Sequence, residues 1–424
     1  MIQEIRIKNY LSFRDEVVLS FEATKDTTFE ECQVVNVTPK VRLLRFALIY
    51  GANASGKSNL LNAMNFLRDF WFDKKSDIDE DTGVVPFLLD TGTPNEPSEF
   101  NIKFFVGDKR YWYALVLDDK QVIKENLYVY NSVQPSLVFS RELDGTTSLI
   151  KLNASLVKAN ATIVEQLNVK CLSNMSFFAA RNQVNCSLAY IDEVRDWMKN
   201  NMMPIIEPGT RMFDYAGKQM EKNVELKAYI LDFVHKADYN ITDVYTEREK
   251  VPIPDIVKAS IMEDKDIPEK VKEKMLADNA LERLRTDFQH TVKNKRGEEN
   301  YRLPNSLQSE GTKRTFGIEA AIYEAIKTNG ILPIDEIESS LHPELVEFII
   351  EKFLKEKSRS QLIVTSHYDP LLNTVDDLIR KDSVWFTEKE KDGHTTLYSL
   401  TDFKGLSKIS SFQKSYRNGV FGAL

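Results

Sequence analysis

The chain is poor in the residues that stabilise secreted scaffolds. Its three cysteines, Cys32, Cys171 and Cys186, form no CxxC pair and indicate no disulfide framework, so a reducing cytosol is the expected setting. Long apolar runs are missing too. None approaches the roughly 18–20 residues that cross a bilayer, and the opening Met1 to Lys8 lacks the apolar core of a signal peptide. A cytoplasmic protein with no membrane partner is expected. No repeat period and no low-complexity tract appear. Positive charge is not in excess: 56 Lys and Arg face 64 Asp and Glu, a net charge of −8. A large basic surface is therefore not the dominant feature, although a local groove for DNA stays open. What remains is ordinary globular material, 42% hydrophobic and 28% charged, enough for a core and two or three lobes.

Residues 2–21 alternate apolar and polar around a polar break at Ser12 to Glu16, which predicts a hairpin of half-buried strands. The apolar run Leu43 to Tyr50, the stretch Gly51 to Ser58 and a helical pattern from Asn59 to about Phe72 read as strand, glycine loop and helix. Alternation returns from Phe100 to about Leu152, with turns at Asp118-Asp119 and Asp144-Gly145, and predicts an antiparallel meander. From about Ala154 to Arg285 the pattern changes. Leu188 to Met203 and Val224 to His235 have helical spacing, and Ile256 to Leu284 is charged, helix-prone and read as a solvated helix pair, with a docking arm as the alternative. Strand-like segments follow at Phe288 to Leu303, Gly330 to Asp335, Gln361 to Thr365 and Val384 to Phe386, with helices between them. That rhythm predicts a parallel sheet covered on both faces.

The chemistry concentrates in four places. Gly51, Ala52, Asn53, Ala54, Ser55, Gly56, Lys57 and Ser58 fit G-x-x-x-x-G-K-[ST], a pattern arising by chance on the order of once in a hundred chains of this length. Glycines let backbone N–H groups curl around phosphate oxygens at a helix N-terminus. Gly51, Asn53 to Ser58 and the following Asn59 are the candidate nucleotide ligands. Lys57 is expected to neutralise the β- and γ-phosphates and Ser58 to ligate Mg²⁺. Asp335 and Glu336 end an apolar strand, which suits Asp335 to the metal and Glu336 to orienting or deprotonating the attacking water. Pro333 sits badly in a central strand, so a bulge or shifted register is expected there. Thr365-Ser366-His367 ends another apolar strand, and His367 is placed for the γ-phosphate or the lytic water. Ser309, Glu310 and Gly311 open a helix whose small residues expose N–H groups to an anion.

In order, the P-loop, Ser309-Glu-Gly-Thr312, Asp335-Glu-Ile-Glu-Ser-Ser-Leu-His-Pro343 and Thr365-Ser-His367 resemble the ABC-type ATPase head. The likeness is to the bacterial AAA-family group related to RecF, OLD and SMC proteins. The opening Ile5 to Phe13 matches that group's first strand and turn. The resemblance covers about 1–130 and 285–424. It implies an α/β fold: an ABC-ATPase head with a parallel P-loop sheet, an antiparallel β-meander and a helical insertion. The expected divisions are 1–153 and 286–424 for the two halves of the head and 154–285 for the insertion. It further implies ATP and Mg²⁺ as cofactors and an ATP-gated homo-oligomer, a dimer or larger ring. In such assemblies Ser309 and Gly311 of one protomer close on the γ-phosphate held by another, with Ser340, Leu341 and His342 along the junction. The usual Mg²⁺-sensing glutamine has no counterpart between Asn59 and Lys120, and Gln121 falls at a turn.

About 250 residues separate Lys57 from Ser309, too few for long coiled-coil arms, and there is no CxxC for a zinc hook. Transporter signature text is absent, and the 57 residues after His367 cannot hold a Toprim nuclease domain. The ending Tyr416 to Leu424 is similar to the tails of ATPases encoded beside a separate nuclease in anti-phage operons, such as those with RloB-like partners and the PARIS ATPase. The leading expectation is an ATP-hydrolysing sensor and scaffold that controls a separately encoded effector, a Toprim-type nuclease, in response to a phage-encoded trigger. A RecF-like repair or recombination ATPase that clamps DNA, and a switch set by ATP binding alone, are the alternatives.

Overall fold

In the computed structural model, which describes residues 1–145, 147–236, 240–264, 269–277 and 280–423, the early alternation becomes β1 (Ile2–Lys8) paired antiparallel with β2 (Val17–Ser20). Ile5, Ile7, Leu19 and Phe21 are fully buried, as a two-residue period directed at one core requires. A short helix α1 (Glu30–Gln33) leads to the pair β3 (Val34–Thr38) and β4 (Val41–Leu44). Next come β5 (Phe46–Tyr50) and α2 (Lys57–Phe70), which buries Leu60, Leu61, Met64 and Leu67 at helical spacing. The meander is β6 (Ser98–Val106), β7 (Lys109–Leu117), β8 (Val122–Tyr130), β9 (Ser136–Asp144) and β10 (Thr147–Leu152). With the first two strands it forms a seven-stranded antiparallel sheet in the order β10-β9-β8-β7-β6-β1-β2.

Three helices follow, α3 (Ala161–Lys170), α4 (Phe177–Arg181) and α5 (Ile191–Asn201). A buried ion pair ties this region to the meander. Arg141 donates to Glu125 (3.1 Å) and to the carbonyls of Met175 (2.6 Å) and Leu172 (2.8 Å). Glu125 also accepts from the hydroxyls of Tyr113 and Ser176. Two ions taken out of water persist only when their remaining hydrogen-bonding groups are also met, as they are here.

By internal packing the chain forms two units: 1–208 with 324–339 and 346–424, and 209–323 with 340–345. The boundaries expected at 153/154 and 285/286 fall inside the first unit and inside a strand of the second. That second unit holds α6 (Phe213–Lys222), α7 (Val224–Lys236), β11 (Ile241–Pro252), α8 (Asp255–Glu263), α9 (Glu269–Ala277), β12 (Ala280–Asn294) and β13 (Gly297–Pro304). Its strands make one antiparallel sheet, β11-β12-β13, so the insertion is not purely helical. The helix-prone reading of Ile256 to Leu284 fits α8 and α9 and fails from Ala280. There residues 280–286 pair along their length with β11, and that long cross-strand pairing outweighs local propensity. Residues 265–268 and 278–279 of that reading, and Leu424 of the ending, lie outside the described residues.

Helix α10 (Glu310–Thr328) leads to β14 (Ile331–Ile334), followed by α11 (Pro343–Lys355), β15 (Gln361–Ser366), β16 (Val384–Lys389), β17 (Thr395–Ser399) and α12 (Phe412–Arg417). The second sheet runs β14-β15-β5-β16-β17, parallel except for the last pair. Every residue of β5, β14 and β15 is buried, the mark of a sheet covered on both faces. No bulge occurs at Pro333, and β14 meets β15 in unbroken register from Ile331↔Gln361 to Ile334↔Val364. The strand is an edge of this sheet, and on its outer side the segment 203–206 bonds the Ile331 carbonyl, the Asp335 N–H and, at Pro333, the carbonyl, which accepts from Ile206 N–H (3.0 Å). The N–H that proline lacks is not required. Among the described residues, no helix is long and apolar enough to cross a membrane.

Candidate nucleotide site

β5 ends in the fully buried Tyr50 and hands the chain to the glycine loop at the carboxyl ends of the parallel strands. Close approach explains both glycines. A Cβ on Gly51 would stand 2.5 Å from the Thr387 carbonyl, and one on Gly56 would stand 2.4 Å from Thr395 Oγ1. Gly56 also has φ +101°, a region that side chains disfavour. Ser55 is buried, with its Oγ 2.7 Å from Thr387 Oγ1, and its carbonyl accepts from Thr395 Oγ1 at 2.9 Å. Asn59 donates to Ser12 Oγ at 2.8 Å. Asn53 and Ala54 are exposed, and Ser58 is half-buried.

Helix α2 begins at Lys57, whose ammonium is buried and donates to the carbonyls of Gly51 (2.7 Å) and Ala52 (2.9 Å). Burial pushes its pKa below the usual lysine value, while Asp335, Glu336 and Glu338 push the other way. Three carboxylates therefore act on this one cation. Asp335 is 7% exposed and accepts from the Thr365 hydroxyl, which in turn receives the Glu336 N–H at 2.8 Å. Glu336 has φ +45°, uncommon for a residue with a side chain, so the backbone leaves the strand direction at this acid.

His367 follows β15 with its side chain about half exposed. Its N–H (2.7 Å) and its Nδ1 (2.9 Å) both meet Glu338 Oε1. With the proton on Nδ1, the carboxylate fixes the ring and leaves Nε2 as the acceptor. Sequence reasoning missed Glu338, Thr365, Thr387 and Thr395. Glu338 lies only two residues past the acidic pair. The threonines carry a weaker signal, polar side chains at fully buried strand positions.

The second unit carries Ser309 and Gly311. Ser309 caps α10, accepting from Thr312 N–H at 3.0 Å, and both Ser309 and Glu310 are exposed. A Cβ on Gly311 would stand 2.6 Å from the Ser340 carbonyl, so glycine lets the 340–342 segment press on the helix start. Gln121 lies in the turn between β7 and β8, its N–H bonded to Asp118, and the Mg²⁺-sensing role stays unassigned. Among the described residues, no three His, Cys, Asp or Glu side chains converge as a metal cage. A Mg²⁺ held largely by phosphate oxygens needs only one or two protein oxygens, and the Ser58 hydroxyl and Asp335 carboxylate are of that kind.

A glycine loop between strand and helix, a buried lysine, and acids and a histidine at the ends of adjacent parallel strands define the P-loop ATPase class. The chain belongs to the family described as "AAA domain, putative AbiEii toxin, Type IV TA system", whose model matches residues 46–152 and 211–373. The match includes the glycine loop, the α10 start, both acids and His367. Two solved structures are similar: an SMC head bound to the C-winged helix domain of ScpA, and an SMC head domain from Thermotoga maritima. The first is 14% identical with TM-score 0.45, covering 98% of this chain and 99% of that one. The second is 12% identical with TM-score 0.41, covering 94% and 98%. No curated protein matches the chain.

Proposed function

We propose that the protein is an ATP-hydrolysing ABC-type sensor and scaffold of a bacterial anti-phage system, assembling through its heads to control a separately encoded effector, a Toprim-type nuclease. The observation carrying the ATPase part is the buried Lys57 that opens α2, its ammonium held by the Gly51 and Ala52 carbonyls of a glycine loop at the ends of parallel strands. On this reading Gly51 and Asn53 to Asn59 cradle the phosphates of ATP. Lys57 exchanges its two carbonyl partners for β- and γ-phosphate oxygens. Asp335 and Ser58 hold Mg²⁺, which when bound offsets phosphate charge. Glu336 orients or deprotonates the water, and His367, held by Glu338, presents Nε2 either to the lytic water as an acceptor when the ring is neutral or to the γ-phosphate as a donor when it is protonated. Ser309 and Gly311 of a second copy complete the site, which agrees with their exposed or half-exposed position at a helix start. The family description, which names a toxin and a type IV TA system, supports the defence setting.

The test uses tagged Glu336→Gln protein recovered from its host with and without ATP. Hydrolysis falls by orders of magnitude, and a stoichiometric nuclease encoded next door comes down with the ATP-trapped assembly. Recovery of DNA and repair proteins without a dedicated partner would replace the defence role with RecF-like clamping. Unchanged phosphate release would remove Glu336 from catalysis.

A further inference from the structure

The segment 411–423 touches both ends of the candidate site. Helix α12 is capped by Ser411, and beyond it the chain turns back through Gly419 and Gly422 to Ala423. The Ala423 carbonyl accepts two hydrogen bonds, from Ala52 N–H in the glycine loop (3.1 Å) and from the Tyr416 hydroxyl (2.8 Å). Ala423 is 1% exposed and adopts φ +59°, a left-handed conformation that alanine holds only when its surroundings impose it.

Those surroundings are aromatic. The Tyr416 ring lies 5.9 Å from Tyr50, the residue before Gly51, and is stacked 5.8 Å from Phe386. Phe421 packs on Phe386, Phe403 and Phe412, and its carbonyl accepts from the Tyr398 hydroxyl at 2.8 Å. At the other end, Arg417 and Gln413 both bond Asp369, two residues beyond His367.

We infer that this segment is a brace that positions the glycine loop through Tyr416 and Ala423 and the His367 segment through Arg417 and Asp369. The physical reason lies at Ala52. Its carbonyl accepts from Lys57, a bond the lysine must give up to reach phosphate, whereas its N–H bond to Ala423 can persist. The brace thus keeps the mouth of the loop in place while Lys57 changes partners. Tyr416 and Arg417 are positioning residues, and the inference rests on the nucleotide-binding reading above.

The full-length protein, as wild type, Tyr416→Phe, Arg417→Ala and Arg417→Lys, is titrated with a fluorescent ATP analogue and Mg²⁺, assayed for phosphate release, and melted without nucleotide. Tyr416→Phe keeps the ring and loses one hydrogen bond, so analogue Kd and the KM for ATP rise about three- to ten-fold while kcat holds. Arg417→Ala does the reverse, lowering kcat at unchanged Kd, and Arg417→Lys restores it. Unchanged binding and turnover in both variants, or parallel loss of affinity, turnover and Tm in both, overturns the brace. A wild type that binds no analogue overturns the nucleotide reading, and the brace with it.

Discussion

The glycine loop and the turn that opens α10, which we propose meet the phosphates of ATP from two copies of the chain, are held in different ways. Ser55, Gly56 and Lys57 are buried, and the loop is fastened by Ser12, Thr387, Thr395 and Ala423, which come from distant parts of the chain. Ser309 and Glu310 are exposed, and that turn rests on Thr312 within its own helix and on Ser340. A cradle that must grip a multiply charged ligand gains from being pre-formed, because little ordering then remains for binding to drive. A surface that acts on another molecule must stay accessible. That difference is what the proposed completion of the site by a second copy requires of its two halves.

The largest test of that contrast is Gly56→Ala. Its Cβ would meet Thr395 and Ser12 at a positive φ, so ATP-analogue binding is lost, and chemical denaturation reads a stability loss of about 1–3 kcal/mol. Retained binding would mean the loop is less constrained than its contacts indicate. Gly311→Ala comes next. Analogue Kd stays within about two-fold of wild type, while steady-state phosphate release falls at least about ten-fold, because the change strikes only the outward half. Equal losses in binding and release would erase the distinction. The smallest effect is that of Ser309→Ala, which removes the cap on α10. Denaturant titration reads about 1 kcal/mol, and phosphate release falls by less than in Gly311→Ala.

Much of this architecture was legible without coordinates. The strand–loop–helix around Gly51 to Ser58, the meander between β6 and β10, and the apolar strands ending at Asp335 and His367 rest on local patterns. Apolar period, glycine placement and turn residues lie close together in sequence, and so does the backbone they shape. Even Glu338 stood in plain view beside Glu336, although nothing local says that it holds His367.

Other features depend on partners that the chain brings together only by folding. Ser55 meets Thr387 across 332 residues, and Ala52 meets Ala423 from almost the far end of the chain. Pro333 is tolerated because β14 turned out to be an edge, and Ala280 to Leu284 became strand because β11 pairs with it. Local pattern was enough to place most elements, the glycine loop, the two acids and His367, because periodicity and turn residues act over a few positions. Tertiary structure alone decided which strand lies at an edge, which threonines and carboxylate support the loop and the histidine, and what braces them. Hydrogen bonds and packing between distant residues leave no mark in the local pattern.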